Sequence, residues 1–290
     1  MFLARFLLLF TVVIWGWTFV ATKIMLQYVT PTELLGLRML IGLPILFVVI
    51  LAKKVKFNFS GREHMNLLLG SAIITLHFLI QFTGLKYTSA TNTGWLIAVT
   101  PLIMAVLSFL FLKERIGINE FIGIGLATVG VILLISKGHL GRIGWLESVG
   151  DWLVLGSAFT WAFYTVATRD LSRSKNPVAV TFGIMLPTGI VIIGYLLFAA
   201  DWHKFLDLPM KAILALIYLG VFGTALGHWF WQEGVAKIGA ARAGIFLYLE
   251  PVATTTLAVP YLGEEFGIAT AVGGLLVLAG VYWAQRKRVA

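Results

Sequence analysis

The chain has no cysteine among its 290 residues. That removes disulfides, thiolate nucleophiles and sulfur-ligated metal sites, and leaves the redox compartment unmarked. Charge is scarce as well: 12% of residues are Asp, Glu, Lys or Arg, half of the roughly 25% carried by a soluble globular protein. Acids are the scarcer sign, 13 against 22 basic residues. Catalytic signatures are missing too, with no H-E-x-x-H, no G-x-S-x-G and no acid dyad inside an apolar run, so the sequence points away from an intramembrane enzyme. The N-terminal apolar run has one Arg5 and no small-x-small cleavage site before Lys23. It reads as a retained first span rather than a signal peptide.

What is abundant is apolar surface, 59% of the residues, with a mean hydropathy of +0.94. The solvent in which the chain must be read is therefore lipid. About 30 Å of hydrocarbon at 1.5 Å per residue asks for about twenty residues per span. Such runs lie near 4–24, 32–52, 64–83, 90–111, 117–136, 151–169, 178–199, 209–231, 241–262 and 266–285. Connections such as SRSKNP (172–177) and DWHKFLDLP (201–209) are short polar turns, with no room for a soluble domain.

Ten spans put both termini on one side, and Lys and Arg choose which. With the termini inside, the inner connections and ends hold fifteen basic residues and the outer ones six, leaving Arg38 within the second span. By the positive-inside rule both termini are cytoplasmic. The net charge of +9 then reflects membrane orientation, and no nucleic-acid partner is implied.

The chain also repeats itself. Shifted by 150 residues, LKYTSATNTGWLIAVTPLIMAVLSFLFLKERIGINEFIGIGLATVGVILL (85–134) matches VAKIGAARAGIFLYLEPVATTTLAVPYLGEEFGIATAVGGLLVLAGVYWA (235–284) at twelve of fifty positions without a gap. The matches include Pro101 with Pro251, Glu114 with Glu264, Gly123 with Gly273 and Gly130 with Gly280. Apolar composition alone does not align a proline, a glutamate and several glycines. Upstream, at a shift of 146, WGWTFVATK (15–23) matches WAFYTVATR (161–169), and Pro31 falls on Pro177. A duplicated unit of five spans crosses the membrane in opposite senses. The expected fold is an all-α integral membrane protein of ten transmembrane helices in two inverted five-helix repeats, residues 1–145 and 146–290. Inverted repeats are a recurrent plan of secondary transporters, with sites near the bilayer midplane.

The paired units TPLIMAVLSFLFLKER (100–115) and LEPVATTTLAVPYLGEE (249–265), each followed by G-x-x-L-x-x-x-G-V at 123–131 and 273–281, carry a family resemblance. With WGWTFVATK and the P-x6-R of Pro31 to Arg38, they make the chain resemble the EamA type of the drug/metabolite transporter superfamily over nearly its whole length. The resemblance implies a proton-linked or facilitative exporter of metabolites, often amino acids, in a bacterial or archaeal plasma membrane. It specifies no substrate. LGEE lacks the base of LKER, as expected if that end faces outward.

Glu250 is the most unusual side chain. An ionised carboxylate near the bilayer centre costs about 2.5 to 3.5 kcal/mol on insertion scales, so it must face protein or water. It is either a proton or substrate-amine site, or a structural acid that caps freed backbone amides or pairs with Arg38 or Lys23. Pro251 removes one helix hydrogen bond and is expected to leave a carbonyl near Leu247 without its usual donor. Arg38, inside the second span, either snorkels outward, pairs with an acid, or meets a substrate carboxylate. His77 with Gln81 and His228 with Gln232 each stand four apart and share a helix face, as interhelical hydrogen-bonding groups or as walls of a polar cavity.

Aromatic stripes complete the candidate cavity. Trp15, Thr18 and Thr22 line one face of the first span, Trp161, Tyr164 and Thr168 the matching face of the sixth, and Asn92 with Trp95 a stripe of the fourth; Tyr248 belongs to the same set. Trp15 and Trp161 fall about mid-span, where an interfacial anchor has no role. An aromatic-lined, weakly polar cavity suits amphipathic metabolites such as neutral or aromatic amino acids; the alternatives are uptake or exchange of another small metabolite, a nucleoside, sugar or drug-like cation, and a membrane protein that transports nothing. Pro101, Pro251, Glu114 and Glu264 are expected to act in conformation. Gly123, Gly130, Gly273 and Gly280, spaced by seven, let helices approach closely, within one chain or across a homodimer. The expected partners are a small-molecule substrate, the bilayer and, as coupling ion, the proton. No metal and no cofactor are expected.

Overall fold

In a computed structural model of the chain, residues 1–114, 117–135, 146, 148–263 and 267–284 are described. Among them there are helices and turns and no strand. The long helices are α1 (Phe2–Met25), α2 (Pro31–Ala52), α3 (Gly61–Tyr87), α4 (Ala90–Leu112), α5 (Ile118–Ile135), α6 (Val149–Ser174), α7 (Pro177–Ala199), α8 (Met210–Ile238), α9 (Ala240–Leu262) and α10 (Ile268–Ala284). Seven of these, α1 to α4 and α7 to α9, are long and apolar enough to cross a bilayer, while α5 and α10 contain shorter apolar stretches. Helix α6 has 26 residues, with Asp151 in its first turn and Arg173 in its last. Glu264 lies outside the described residues.

Polar caps fix where the helices start. Thr30 with Glu33, Ser60 with Glu63 and Ser148 with Asp151 form reciprocal capping boxes at α2, α3 and α6. Each satisfies two amides that the helix cannot bond internally. Asn176 caps α7, and proline occupies the first turn of both α2 and α7, where its missing N–H costs nothing.

Three of the helices are interrupted inside. Helix α4 tightens into a 3-10 turn at Ile97–Val99, directly before Thr100 and Pro101, and α9 does the same at Ile245–Leu249, directly before Glu250 and Pro251. The proline nitrogens cannot serve the carbonyls four residues back. Those carbonyls are nevertheless bonded, Ile97 O by the Thr100 N–H and Leu247 O by the Glu250 N–H, so the orphan expected at Leu247 is taken up by the tighter turn. Both helices end on a left-handed residue, Lys113 at φ 54° and Gly263 at φ 67°. Helix α8 instead widens into a π-helical stretch over Leu219–Leu226.

Packing places the glycine stripes inside the chain. A Cβ on Gly123 would stand 2.5 Å from Gly280 O, and one on Gly130 would stand 2.7 Å from Gly273 O. Rising numbers on one helix meet falling numbers on the other, so α5 and α10 run antiparallel in backbone contact. Helix α1 lies against α8 and α9, α6 against α3 and α4, and α2 against α7. The outside is apolar, with Phe111 67%, Phe121 69% and Phe198 94% exposed. Lipid accepts such a surface and water does not. This is the build of a multi-pass membrane protein.

Candidate functional site

The broken helices bring their interruptions to one buried cavity. Its walls are Trp15, Thr18 and Phe19 from α1, Arg38 from α2, His77, Phe78 and Gln81 from α3, Ile97 and Thr100 from α4, Ala158 and Trp161 from α6, His228 from α8, and Leu247 and Glu250 from α9. The space open to water-sized spheres is about 50 Å³. That is room for a few waters, so a larger guest enters only when helices part.

Aromatic rings frame it. Trp15 and Trp161 meet edge to face with centroids 4.8 Å apart, and His77 and His228 lie 5.1 and 5.7 Å from the Trp161 ring. Phe78 stands 5.5 Å from His228. The π-helical stretch of α8 anchors this cluster through carbonyls that a regular helix would use internally. Trp15 Nε1 donates to Gly223 O at 3.2 Å, and His228 Nδ1 lies 2.9 Å from the same oxygen and 3.1 Å from Thr224 O. A Cβ at Gly227 would sit 2.4 Å from Trp15 Nε1. Glycine is what lets the indole in.

Arg38 is 3% exposed and does not snorkel. Its Nε donates to Thr224 Oγ1 at 3.0 Å, and the guanidinium carbon lies 4.9 Å from the Phe78 ring centre and 5.1 Å from that of Phe82. Such cation–π stacking offsets part of the cost of burying the charge. Among the described residues no carboxylate pairs with it. Glu250, 4% exposed, likewise has no side-chain hydrogen bond or ion pair among the described residues; it neither caps an amide nor pairs with Arg38. Only its backbone is engaged, the N–H donating to Leu247 O and the carbonyl accepting from Thr254 Oγ1 at 2.8 Å.

The tautomers of the two histidines are assigned from what faces each Nδ1. Carbonyl oxygens only accept, and His77 Nδ1 lies 3.0 Å from Ser157 O as His228 Nδ1 lies against Gly223 O, so both Nδ1 atoms carry the hydrogen. In the neutral rings each Nε2 is then an acceptor, and neither has a partner among the described residues; that of His228 is fully buried. Trp161 Nε1, a donor, is also buried and unpaired. The cavity thus offers unused groups of both kinds on an aromatic frame. Among the described residues no group of three His, Asp or Glu side chains is placed to hold a metal ion.

The profile of the EamA-like transporter family matches residues 2–136 and, a second time, residues 148–285. This chain belongs to the EamA-like transporter family. It is similar to an "Uncharacterized transporter" of Archaeoglobus fulgidus, 29% identical over 97% of both chains. It is also similar to a "Probable amino-acid metabolite efflux pump" of Salmonella typhimurium, 28% identical over 96% of this chain and 93% of the other, and to one of the same description in Escherichia coli, 28% identical over 95% and 92%. A solved crystal structure shares the fold at a TM-score of 0.77 and 21% identity, covering 97% of each chain.

Of the residues singled out in this EamA-like transporter's sequence, Trp15, Thr18, Arg38, His77, Gln81, Trp161, His228 and Glu250 line the one cavity. Others are placed elsewhere. Gln232, fully buried, donates to Tyr164 Oη at 2.9 Å and accepts from Ser172 Oγ at 2.6 Å; this polar seam between α6 and α8 holds Tyr164 as well. Tyr248 Oη lies 2.9 Å from Thr128 Oγ1, tying α9 to α5. Asn92 donates to Asp151 Oδ1 at 2.6 Å, at an end of the bundle where Lys23 Nζ reaches Leu85 O at 2.8 Å. Trp95 is 4% exposed and off the cavity wall. Near the end of α4, Glu114 accepts from the Ala240 and Ala241 N–H groups at 3.3 and 3.1 Å and pairs with Arg169 at 3.0 Å, clamping the start of α9. The side chains of Phe19, Phe78, Ile97, Thr100, Ala158 and Leu247 also line the cavity and carry no signal of their own in the sequence, save that the shift of 150 residues puts Thr100 opposite Glu250.

Proposed function

We propose that the chain is a secondary transporter of ten transmembrane helices, two inverted five-helix repeats at 1–145 and 146–290, that exports small amphipathic metabolites by alternating access. Neutral and aromatic amino acids are its foremost substrates. The observation that carries this reading is the shared cavity to which the two proline-broken helices contribute matching positions, Thr100 and Glu250. Reciprocal packing supports the repeat: α1 lies against α8 and α9 as α6 lies against α3 and α4, the pairing that exchange of two like halves produces. The two family matches along the chain support the same division. The efflux pumps among its relatives support export of amino-acid metabolites.

On this reading the termini are cytoplasmic, and Glu114 with Arg169 closes the cytoplasmic end against α9. Coupling runs through Glu250: its carboxyl holds a proton when the cavity is empty and releases it when a substrate ammonium takes its place. Purified protein in liposomes, loaded with unlabelled amino acids, is expected to accumulate the labelled ones by counterflow. Folded protein that moves no member of a broad metabolite panel in either direction overturns the reading.

A further inference from the structure

Within the transporter reading, the cavity's two charges specify more than an amphipathic guest. Arg38 is held rigidly at one end of its side chain. Nε is committed to Thr224 Oγ1, the plane lies near the Phe78 and Phe82 rings, and Gly223 leaves just enough room, since a Cβ there would stand 3.2 Å from Nη2. Its Nη groups have no hydrogen-bond partner among the described residues, and the residue lines the cavity. A guanidinium fixed at Nε presents its outer N–H groups in a planar fork that suits a carboxylate.

Glu250 lines the same cavity with a carboxyl equally without partner. It begins the second half of α9, and once its proton is released its charge is opposite in sign to that of Arg38. His77 and His228 add acceptor nitrogens and Trp161 Nε1 a donor, and the aromatic rings offer an apolar side chain a matching surface once the helices part. A guest carrying only an ammonium leaves Arg38 uncompensated, and a guest carrying only a carboxylate leaves the Glu250 carboxyl without its exchange partner. Unpaired buried charges are costly, and a guest with both charges a few bonds apart answers both.

We infer that Arg38 and Glu250 are the two poles of a zwitterion site, Arg38 Nη taking the carboxylate of an α-amino acid with an apolar side chain and Glu250 its ammonium. The site discriminates by charge at each pole separately. The inference rests on the transporter reading and narrows its substrate class; drug-like cations and simple carboxylates are poor guests.

The test is competition against labelled phenylalanine in proteoliposome counterflow, using phenylalanine, phenethylamine (no carboxylate) and 3-phenylpropionate (no ammonium). Wild-type protein is expected to prefer phenylalanine to either analogue by tenfold or more. Arg38→Gln is expected to lose the preference over phenethylamine and keep that over phenylpropionate, and Glu250→Gln to show the reverse, so each variant reports the folding of the other. Tryptophan fluorescence titration of the purified protein reads the same preferences, through Trp15 and Trp161, should a variant bind without transporting. Equal competition by phenylalanine and phenethylamine in the wild type overturns the inference, as do variants that leave both preferences intact. If phenylalanine is not moved but another metabolite is, the zwitterion site fails and the transporter reading stands; if nothing is moved, the transporter reading itself fails.

Discussion

Thr100 of α4 and Glu250 of α9 hold matching places: each follows a 3-10 turn, precedes a proline, donates its N–H to the carbonyl three residues back and faces one cavity. They differ in chemistry, a hydroxyl against an acid. The two stretches that match the family are thereby made unequal at this position.

That inequality has a consequence for coupling. Glu250→Gln is expected to abolish the response of transport to an imposed pH gradient while leaving residual gradient-independent exchange, read as labelled substrate flux with and without the gradient. Because the acid is buried without a partner, replacing it by a neutral amide of the same size breaks no side-chain contact and adds no buried charge. The variant is therefore expected to melt no lower than the wild type. Full gradient dependence in Glu250→Gln sinks the assignment of coupling to this residue.

The glycine contacts make a steric prediction. Gly130→Ala puts a methyl 2.7 Å from Gly273 O, whereas a Cβ on Gly125, in the same helix, meets nothing within 4 Å. Gly130→Ala is expected to cost about 1 to 3 kcal/mol, the usual range for overpacking. Gly125→Ala is expected to be neutral or stabilising by about 0.5 to 1 kcal/mol. Thermal denaturation in detergent separates the two; equal melting points contradict the backbone contact of α5 with α10.

Gln81 and Gln232 should behave oppositely. Gln81 lines the cavity without a side-chain hydrogen bond among the described residues, and Gln81→Leu is expected to raise KM severalfold with little loss of stability. Gln232 ties Tyr164 to Ser172, and Gln232→Leu leaves the Tyr164 hydroxyl unpaired while Ser172 keeps Thr168 O, at about 1 to 3 kcal/mol, with KM unchanged. Stability and KM shifting together in both variants counts against the distinction.

Much of this arrangement is legible in the sequence. The capping residues, the spans and the T-P and E-P breaks follow from local chemistry, and the paired glycines stand out because lipid-facing composition does not align them by chance. The site is less legible. His77 with Gln81 and His228 with Gln232 have the same spacing, and that spacing fixes a shared helix face without fixing how far along it a cavity extends; His228 reaches the cavity, and Gln232 falls one turn beyond it. Arg38 reads equally well as a snorkelling base until Thr224 and the two phenylalanines are seen beside it. The π-helical stretch of α8 leaves little trace, since a register of five uses the same residues as one of four; Gly220, Gly223 and Gly227 are its only hint.

Closure of one end can be read through Glu114. Glu114→Gln removes the charge that meets Arg169 and two amides of α9, and about 1 to 3 kcal/mol of charge-assisted hydrogen bonding. With no native cysteine to interfere, a cysteine placed at Ile245, on the wall of the neighbouring cleft, reports opening. Its labelling by a membrane-impermeant thiol reagent added on the side of the membrane that Glu114 faces is expected to rise severalfold in Glu114→Gln. An unchanged rate argues that the clamp is not part of a gate.

The most direct test of the central claim, that one cavity serves both sides of the membrane in turn, uses Ala158, a small buried wall residue. Ala158→Cys, in protein retaining counterflow, is expected to react with an impermeant thiol reagent added to either side of the membrane and to be protected on both sides by transported substrate. Reaction from one side only, or no protection by a substrate that is demonstrably carried, contradicts it.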